Sequence, residues 1–199
     1  MLFKGWKLKK VSLAIFVVLG IIVIFLLVGY IERNEMDSIE FRKKIYYEFM
    51  EGECVAENIS IDDIISVTGE PNRHFSLQYT LFDSTGDTLP ELHIKTPRNY
   101  YIFTCNDKKM VLWASLPPAT ILFDDGTFLT ENTSHVGYND YYYFILNSSG
   151  DEIFHLAFME TESGYYEFSE VQVTKEQWQA LSELYLKKSK DNIKWENLK

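Results

Sequence analysis

Two cysteines and five prolines are all that 199 residues contain, and the sequence has no Cys-x-x-Cys or His-Glu-x-x-His spacing. A disulfide-dense scaffold is excluded, and His74, His93, His135 and His155 are too dispersed to read as zinc ligands. Also missing are a Gly-x-Ser-x-Gly elbow, a glycine loop that would cradle phosphate, and any nucleophile and base paired by spacing. No motif therefore names a reaction, a metal or a cofactor. Positive charge is scarce as well, with 19 lysines and arginines against 29 aspartates and glutamates, which argues against nucleic acid as a partner.

Polar residues are nearly absent from one segment. Val11 to Tyr30 holds Ser12 as its one clearly polar side chain. A helix of that run, at about 1.5 Å per residue, spans about 30 Å, the thickness of a hydrocarbon core. A cleavable signal would have an apolar stretch of about 7 to 15 residues and small residues at the cut. Here the exit reads Leu27-Val28-Gly29-Tyr30, and no cysteine follows for lipoprotein processing. The expectation is an uncleaved anchor over 11–31 that uses the lipid bilayer as its partner. Lys4, Lys7, Lys9 and Lys10 precede it and acidic residues follow, which sets the N-terminus in the cytoplasm and the remainder outside, at the plasma (inner) membrane.

The expected organisation is a cytoplasmic basic segment over 1–10, the span over 11–31, an exterior α+β domain over 32–190 and a polar tail over 191–199, expected to fray. Setting aside the four N-terminal lysines leaves 15 basic against 29 acidic residues, a formal −14 beyond the span. Cys54 and Cys105 both lie there, and an oxidising compartment would let them form one disulfide, worth roughly 4 kcal/mol for a loop of this length.

The domain opens with a helical pattern in "MDSIEFRKKIYYEFMEGE", whose apolar face holds Ile39, Ile45, Tyr46, Phe49 and Met50 and whose stop is Gly52. A shorter helix follows in "SIDDIISVTGEP": Ser60 and Asp63 form a capping box, Ile61, Ile64 and Ile65 a face, and Gly69 and Pro71 a stop. Ser60 to Pro71 resembles the "S/T-x-x-x-V/I…G-x-P" segment of small bacterial envelope domains of the SmpA/OmlA type, and the similar repeats of beta-lactamase-inhibitor proteins. The resemblance implies a short helix leading into an antiparallel sheet, and protein binding as the activity. It assigns no functional residue, and the lipidated cysteine common in those envelope lipoproteins is missing here.

From Phe75 onward, runs rich in aromatic and branched residues alternate with turn signals, among them "DSTGD", "FDDGTF", "NSSGDE" and "ESGY". Short spacings favour antiparallel hairpins, so the expected fold is an antiparallel sheet flanked by helices. Asp124-Asp125-Gly126 reads as a hairpin turn, and His155, set among apolar neighbours in "IFHLAF", as a half-buried, hydrogen-bonded histidine. A last helix begins at the capping box Thr174/Gln177, with Trp178, Leu181, Leu184 and Tyr185 as its packing face.

Two readings of the tyrosine runs stay open: strands covered on both faces, or a tyrosine-rich contact surface. On the second, Tyr141, Tyr143, Tyr165 and Tyr166 with Glu160, Glu162 and Glu167 are the candidate binding residues. The function these features favour is a non-enzymatic, membrane-anchored module of the cell envelope that binds another protein, basic in character. One version is an immunity protein or inhibitor that meets a basic toxin at the membrane. The alternatives are a glycan or peptidoglycan binder and a hydrolase with an unrecognised site.

Overall fold

A computed structural model describes residues 38–67, 77–106, 109–132 and 137–198, together with Ile21, Ile24 and Phe25. Among the described residues no helix is long and apolar enough to cross a membrane. The expected span over 11–31 lies outside them apart from those three residues, which are helical and exposed. The stop at Gly69 and Pro71 lies outside them too. The chain divides into two compact units, Met1–Phe41 and Arg42–Lys199. The sheets and cores belong to the second.

Helix α1 covers 38–50 and ends where Gly52, at φ +81°, turns its N–H back to the Phe49 carbonyl. Helix α2 (Ile61–Val67) starts from a reciprocal cap, with Ser60 Oγ accepting from the Asp63 N–H at 3.1 Å and Asp63 Oδ2 from the Ser60 N–H at 2.8 Å. Ile61 and Ile64 are buried, whereas Ile65 is exposed, because it lies one step round from that stripe. Helix α3 (Lys175–Tyr185) carries the expected Thr174/Gln177 box. Its inward stripe is Trp178, Leu181, Ser182 and Tyr185, at i, i+3, i+4 and i+7. Leu184, expected on that face, falls off the stripe and is exposed.

The strands form two antiparallel sheets, where the sequence pointed to one. Sheet one consists of β1 (Gln78–Phe82), β2 (Glu91–Lys95), β3 (Tyr100–Asn106), β4 (Lys109–Leu116) and the late β11 (Glu196–Asn197), in the order β11-β1-β2-β3-β4. Sheet two is the meander β5 (Thr120–Leu122), β6 (Phe128–Asn132), β7 (Tyr138–Leu146), β8 (Glu152–Thr161), β9 (Tyr166–Phe168) and β10 (Val171–Gln172). Pro117 and Pro118 occupy the corner between the sheets, where the Thr120 N–H returns to the Pro117 carbonyl.

Three cores stack these elements in four layers. Tyr46, Phe49, Ile61 and Ile64 of the first two helices pack on Leu92, Ile94, Phe103 and Met110 of sheet one. The opposite face of sheet one, through Tyr100, Ile102 and Trp113, meets Phe128, Phe144 and Leu146 of sheet two. The outer face of sheet two, through Leu129, Tyr143 and Phe158, takes α3 by Leu181 and Tyr185. A bulge helps the sheets meet. The β3–β4 register skips Trp113, and its indole N–H donates to the Ser148 carbonyl in the β7–β8 turn at 3.1 Å.

Residues 191–198 are strapped down rather than frayed. Asp124, in the "DDG" turn, accepts from the Asn192 backbone and side-chain N–H groups, both at 3.1 Å, and its own N–H donates to the Ser189 carbonyl. Lys188 reaches Asp125 and the Tyr143 hydroxyl at 2.6 and 2.7 Å. Ile193 is buried, Lys95 lies over the rings of Tyr100 and Trp195, and Glu196 accepts from the Tyr79 hydroxyl. The expected disulfide is not formed: Cys54 and Cys105 are not bonded to each other, and each is half-buried against the first core. The Cys54 sulfur is turned onto the Ile45 carbonyl, 3.8 Å away.

The central strand β2 carries two titratable groups into the interior. His93, fully buried, donates from Nε2 to the Phe82 carbonyl at 3.3 Å and accepts at Nδ1 from the Tyr100 hydroxyl at 2.8 Å. Glu91, 1% exposed, accepts the Ser84 N–H and hydroxyl at 2.9 and 3.0 Å. Burial lifts Glu91 from 4.5 to about 7 and drops His93 from 6.5 to about 3. Between pH 4.5 and 6.5 the folded chain holds a proton on Glu91 that the unfolded chain has lost, so this group's contribution to stability falls as pH rises. Over the same window the unfolded chain holds a proton on His93 that the folded chain lacks, so that contribution rises, and the two slopes oppose. Glu91→Gln should leave the His93 slope alone, so urea unfolding of the variant should gain about 2 kcal/mol over that window relative to the native chain. Parallel pH profiles for the two proteins would refute the assignment.

Candidate functional site

Sheet one is too narrow to cover the whole inner face of sheet two. Strand register divides that face into rows that run across the strands. Phe128, Phe144 and His155 form one, Thr130, Tyr142 and Ala157 the next, and Asn132, Asp140, Met159 and Glu167 the third. Phe128 and Phe144 are buried under sheet one. The second and third rows floor a groove of about 680 Å³, walled on one side by Ala114, Ser115, Leu116 and Pro117 at the end of β4. Ala157, small and exposed, makes the dip in the floor.

The groove is acidic. Asp140, Glu152 and Glu167 line it, and among the described residues no lysine or arginine does. Glu152 Oε1 accepts from the Tyr142 hydroxyl and from His155 Nδ1, both at 2.7 Å, and the two rings stack with centroids 5.3 Å apart. Burial, then the Glu152 hydrogen bond and its charge, push the Tyr142 hydroxyl up to about 12, so it stays a donor. Glu167 Oε2 accepts from the Tyr165 hydroxyl at 2.8 Å. Each of these carboxylates thus has one oxygen held by a tyrosine, and among the described residues no hydrogen bond reaches the other. Asp140 has no side-chain partner among the described residues. Such a surface can take cationic groups against carboxylates, with aromatic and aliphatic area between them for alkyl stems.

Of the residues singled out from sequence, Glu167 lines the groove and Tyr165 holds it. Tyr141, Tyr143, Tyr166 and Glu160 face the other way. Tyr143 is buried beneath α3, Tyr141 and Tyr166 lie against Trp178 at 6.2 and 5.7 Å, and Glu160 accepts from the Tyr141 hydroxyl. Glu162 is exposed in the β8–β9 turn. Asp140, Tyr142, Glu152 and Ala157 were not singled out as binding residues, and His155 was read as structural. Alternation along β7 pairs Tyr142 with Asp140, but nothing in the sequence says which of two mixed faces is left open. His155, expected half-buried, is exposed because it stands at the end of its row, beyond the cover of sheet one.

Ser84, His93 and Glu91 place a hydroxyl, an imidazole and a carboxyl together, but with no room for chemistry. All three are buried, and the Nε2 proton of His93 is committed to a backbone carbonyl, so the ring cannot take one from Ser84. Among the described residues no three His, Cys, Asp or Glu side chains gather as a metal would require.

Compared with protein-family models, with curated proteins and with solved structures, the chain finds no match, so the resemblance carried by Ser60 to Pro71 rests on that segment alone.

The groove's far end is closed by the β7–β8 turn, where Gly150, at φ +83°, sits so near β4 that a Cβ would lie 2.1 Å from the Trp113 carbonyl oxygen. Gly150→Ala should therefore lower stability by about 2 kcal/mol or more and shift the Trp113 indole N–H resonance, while Ser149→Ala does neither. Unchanged unfolding of the glycine variant would show that the turn does not rest on β4.

Proposed function

We propose that this chain is a binding module of the cell envelope, anchored by the 11–31 run with its folded domain outside, that takes a cationic segment of another protein in the groove of sheet two. The reading is carried by one observation, the concentration of Asp140, Glu152 and Glu167 on an uncovered aromatic face, with no lysine or arginine among the described residues that line it. Lysine or arginine side chains would reach the carboxylate oxygens, their stems lying on Tyr142, Ala157 and Met159. The formal −14 beyond the span would steer such a partner inward from a distance and lose its grip as salt is added. An immunity protein or inhibitor that captures a basic toxin at the membrane is the specific version. Its mechanism is complementarity of surfaces, with no bond made or broken.

The probe is a capped peptide alternating lysine with valine, compared with its glutamate counterpart, added to the full chain in detergent. The lysine peptide should bind and weaken with salt, and Asp140→Asn, Glu152→Gln and Glu167→Gln together should cut its affinity about tenfold or more. Glu160→Gln with Glu162→Gln, an equally acidic pair outside the groove, should not. Equal binding of both peptides, or no loss in the triple variant, would overturn the groove as the site. The topology has its own check. Protease added to intact spheroplasts should digest the domain, and a domain protected until lysis would place it inside.

A further inference from the structure

A second recess lies on the other side of the Gly150 contact and shares no residue with the groove. It is a cleft of about 580 Å³ where α1, the β1–β2 loop, β3, β4 and the β7–β8 turn converge, and its walls are mostly polar. Arg42 and Glu91 lie at its base, their side chains 13% and 1% exposed. Neither has its bonding capacity filled. Arg42 Nη1 donates to Thr104 Oγ1 at 3.3 Å and lies 3.8 Å from Glu91 Oε1, but among the described residues Nε and Nη2 have no acceptor. Glu91 spends Oε2 on Ser84, while among the described residues Oε1 has only the long approach to Arg42. Both groups therefore keep capacity for a partner that enters the cleft.

We infer that this cleft binds a small polar zwitterion of the α-amino-acid type, its carboxylate on the Nε/Nη2 edge of Arg42 and its ammonium on Glu57 and Asp87. The free edge of the guanidinium presents two parallel N–H groups at the spacing of two carboxylate oxygens. A ligand bearing negative charge alone would also meet Glu57 and Asp87, which line the same cleft. One bearing positive charge alone would meet Arg42. A molecule carrying both charges satisfies both ends, and Asn106, Ser148 and Ser149 offer polar partners to a short side chain. The volume falls in the ordinary range for small-molecule sites.

Glu91 makes the binding pH-dependent. An incoming carboxylate beside it favours the protonated acid, which can donate from Oε1 to the ligand. The groups around Glu91 are Arg42 and Tyr46 from α1, Ser84 and His93, and Asp83 and Asp87 from the β1–β2 loop, and Glu57 lines the same cleft. Burial and the nearby aspartates already hold it near neutrality, so binding takes up a proton and tightens as pH falls through that region.

The test is a titration of the full chain, observed by amide resonances, with L-serine, with 3-hydroxypropionate, which lacks the ammonium, and with ethanolamine, which lacks the carboxylate. Serine should bind about tenfold or more tightly than either half, shifting residues 104–106 and 148–149 and leaving the groove rows unmoved. Binding should be tighter at about pH 6 than at about pH 8. Arg42→Lys, which keeps the charge and loses the two-pronged edge, should weaken serine about tenfold, and Glu91→Gln should bind it with no pH dependence. Serine no better than its halves, full affinity in Arg42→Lys, or a native pH profile in Glu91→Gln would each overturn the assignment. The ligand series on the native chain decides the matter even where a variant folds poorly.

Discussion

The interior between the two sheets is an aromatic layer, and everything on either side of it is placed by how those rings meet. Phe128 and Phe144 stack at 5.4 Å, and Tyr100 stands edge-on to Phe128 at 6.4 Å. The Tyr100 hydroxyl, which could not be buried bare, finds His93, and His93 in turn finds a backbone carbonyl. The line continues outward from Phe144 to Tyr142 and from Tyr142 to His155, at 5.6 and 5.3 Å. One chain of ring contacts thus runs from a dry, neutral histidine to a solvent-facing one, and the change of environment along it is set by where sheet one stops.

That limit comes from strand count and from the two interlocked turns. β4 is the last strand of sheet one, and the β7–β8 turn rests on its edge at Trp113. The turn at Gly126 does the same near Ser84, where a Cβ would stand 2.8 Å from a carbonyl oxygen. Two glycines without side chains therefore fix the gap between the sheets, and the gap fixes how much of the inner face of sheet two is left uncovered. The groove and the Arg42 cleft are the two openings on either side of one such contact.

Much of the fold was legible in the sequence because the signals were local. Capping boxes at Ser60 and Thr174, the stop at Gly52 and the turns at "DDG" and "NSSG" depend on a few neighbouring residues, and each occurs where those residues set it. β2 is hard to read because "ELHIK" looks polar, and only its position at the centre of a sheet buries Glu91 and His93. The run "YYEFSEVQV" has the composition of a single strand, but it turns back at Ser169 and Glu170, both at positive φ, to give β9 and β10. The site was harder to see. In "YYYFIL" both faces are aromatic, so the choice between the side under α3 and the side left open depended on partners far away in the chain. The carboxylates followed the same rule, with Glu160 turned to α3 and Glu167 to the groove.

The strap over 189–198 bears on how the protein is made. β1, among the first strands to be synthesised, pairs on one side with β2 at once, but on the other side with β11 from near the end of the chain. Asp124 likewise waits for Ser189 and Asn192, and the Tyr100 ring for Trp195. A chain emerging from the ribosome, or passing through a translocation channel, can build hairpins in order but cannot close sheet one or seal its aromatic layer until those last residues are clear. The domain stays an unlatched intermediate throughout its passage and locks only on release, so the stretch that completes it is also the stretch where a fused tag or a premature stop would do the most damage.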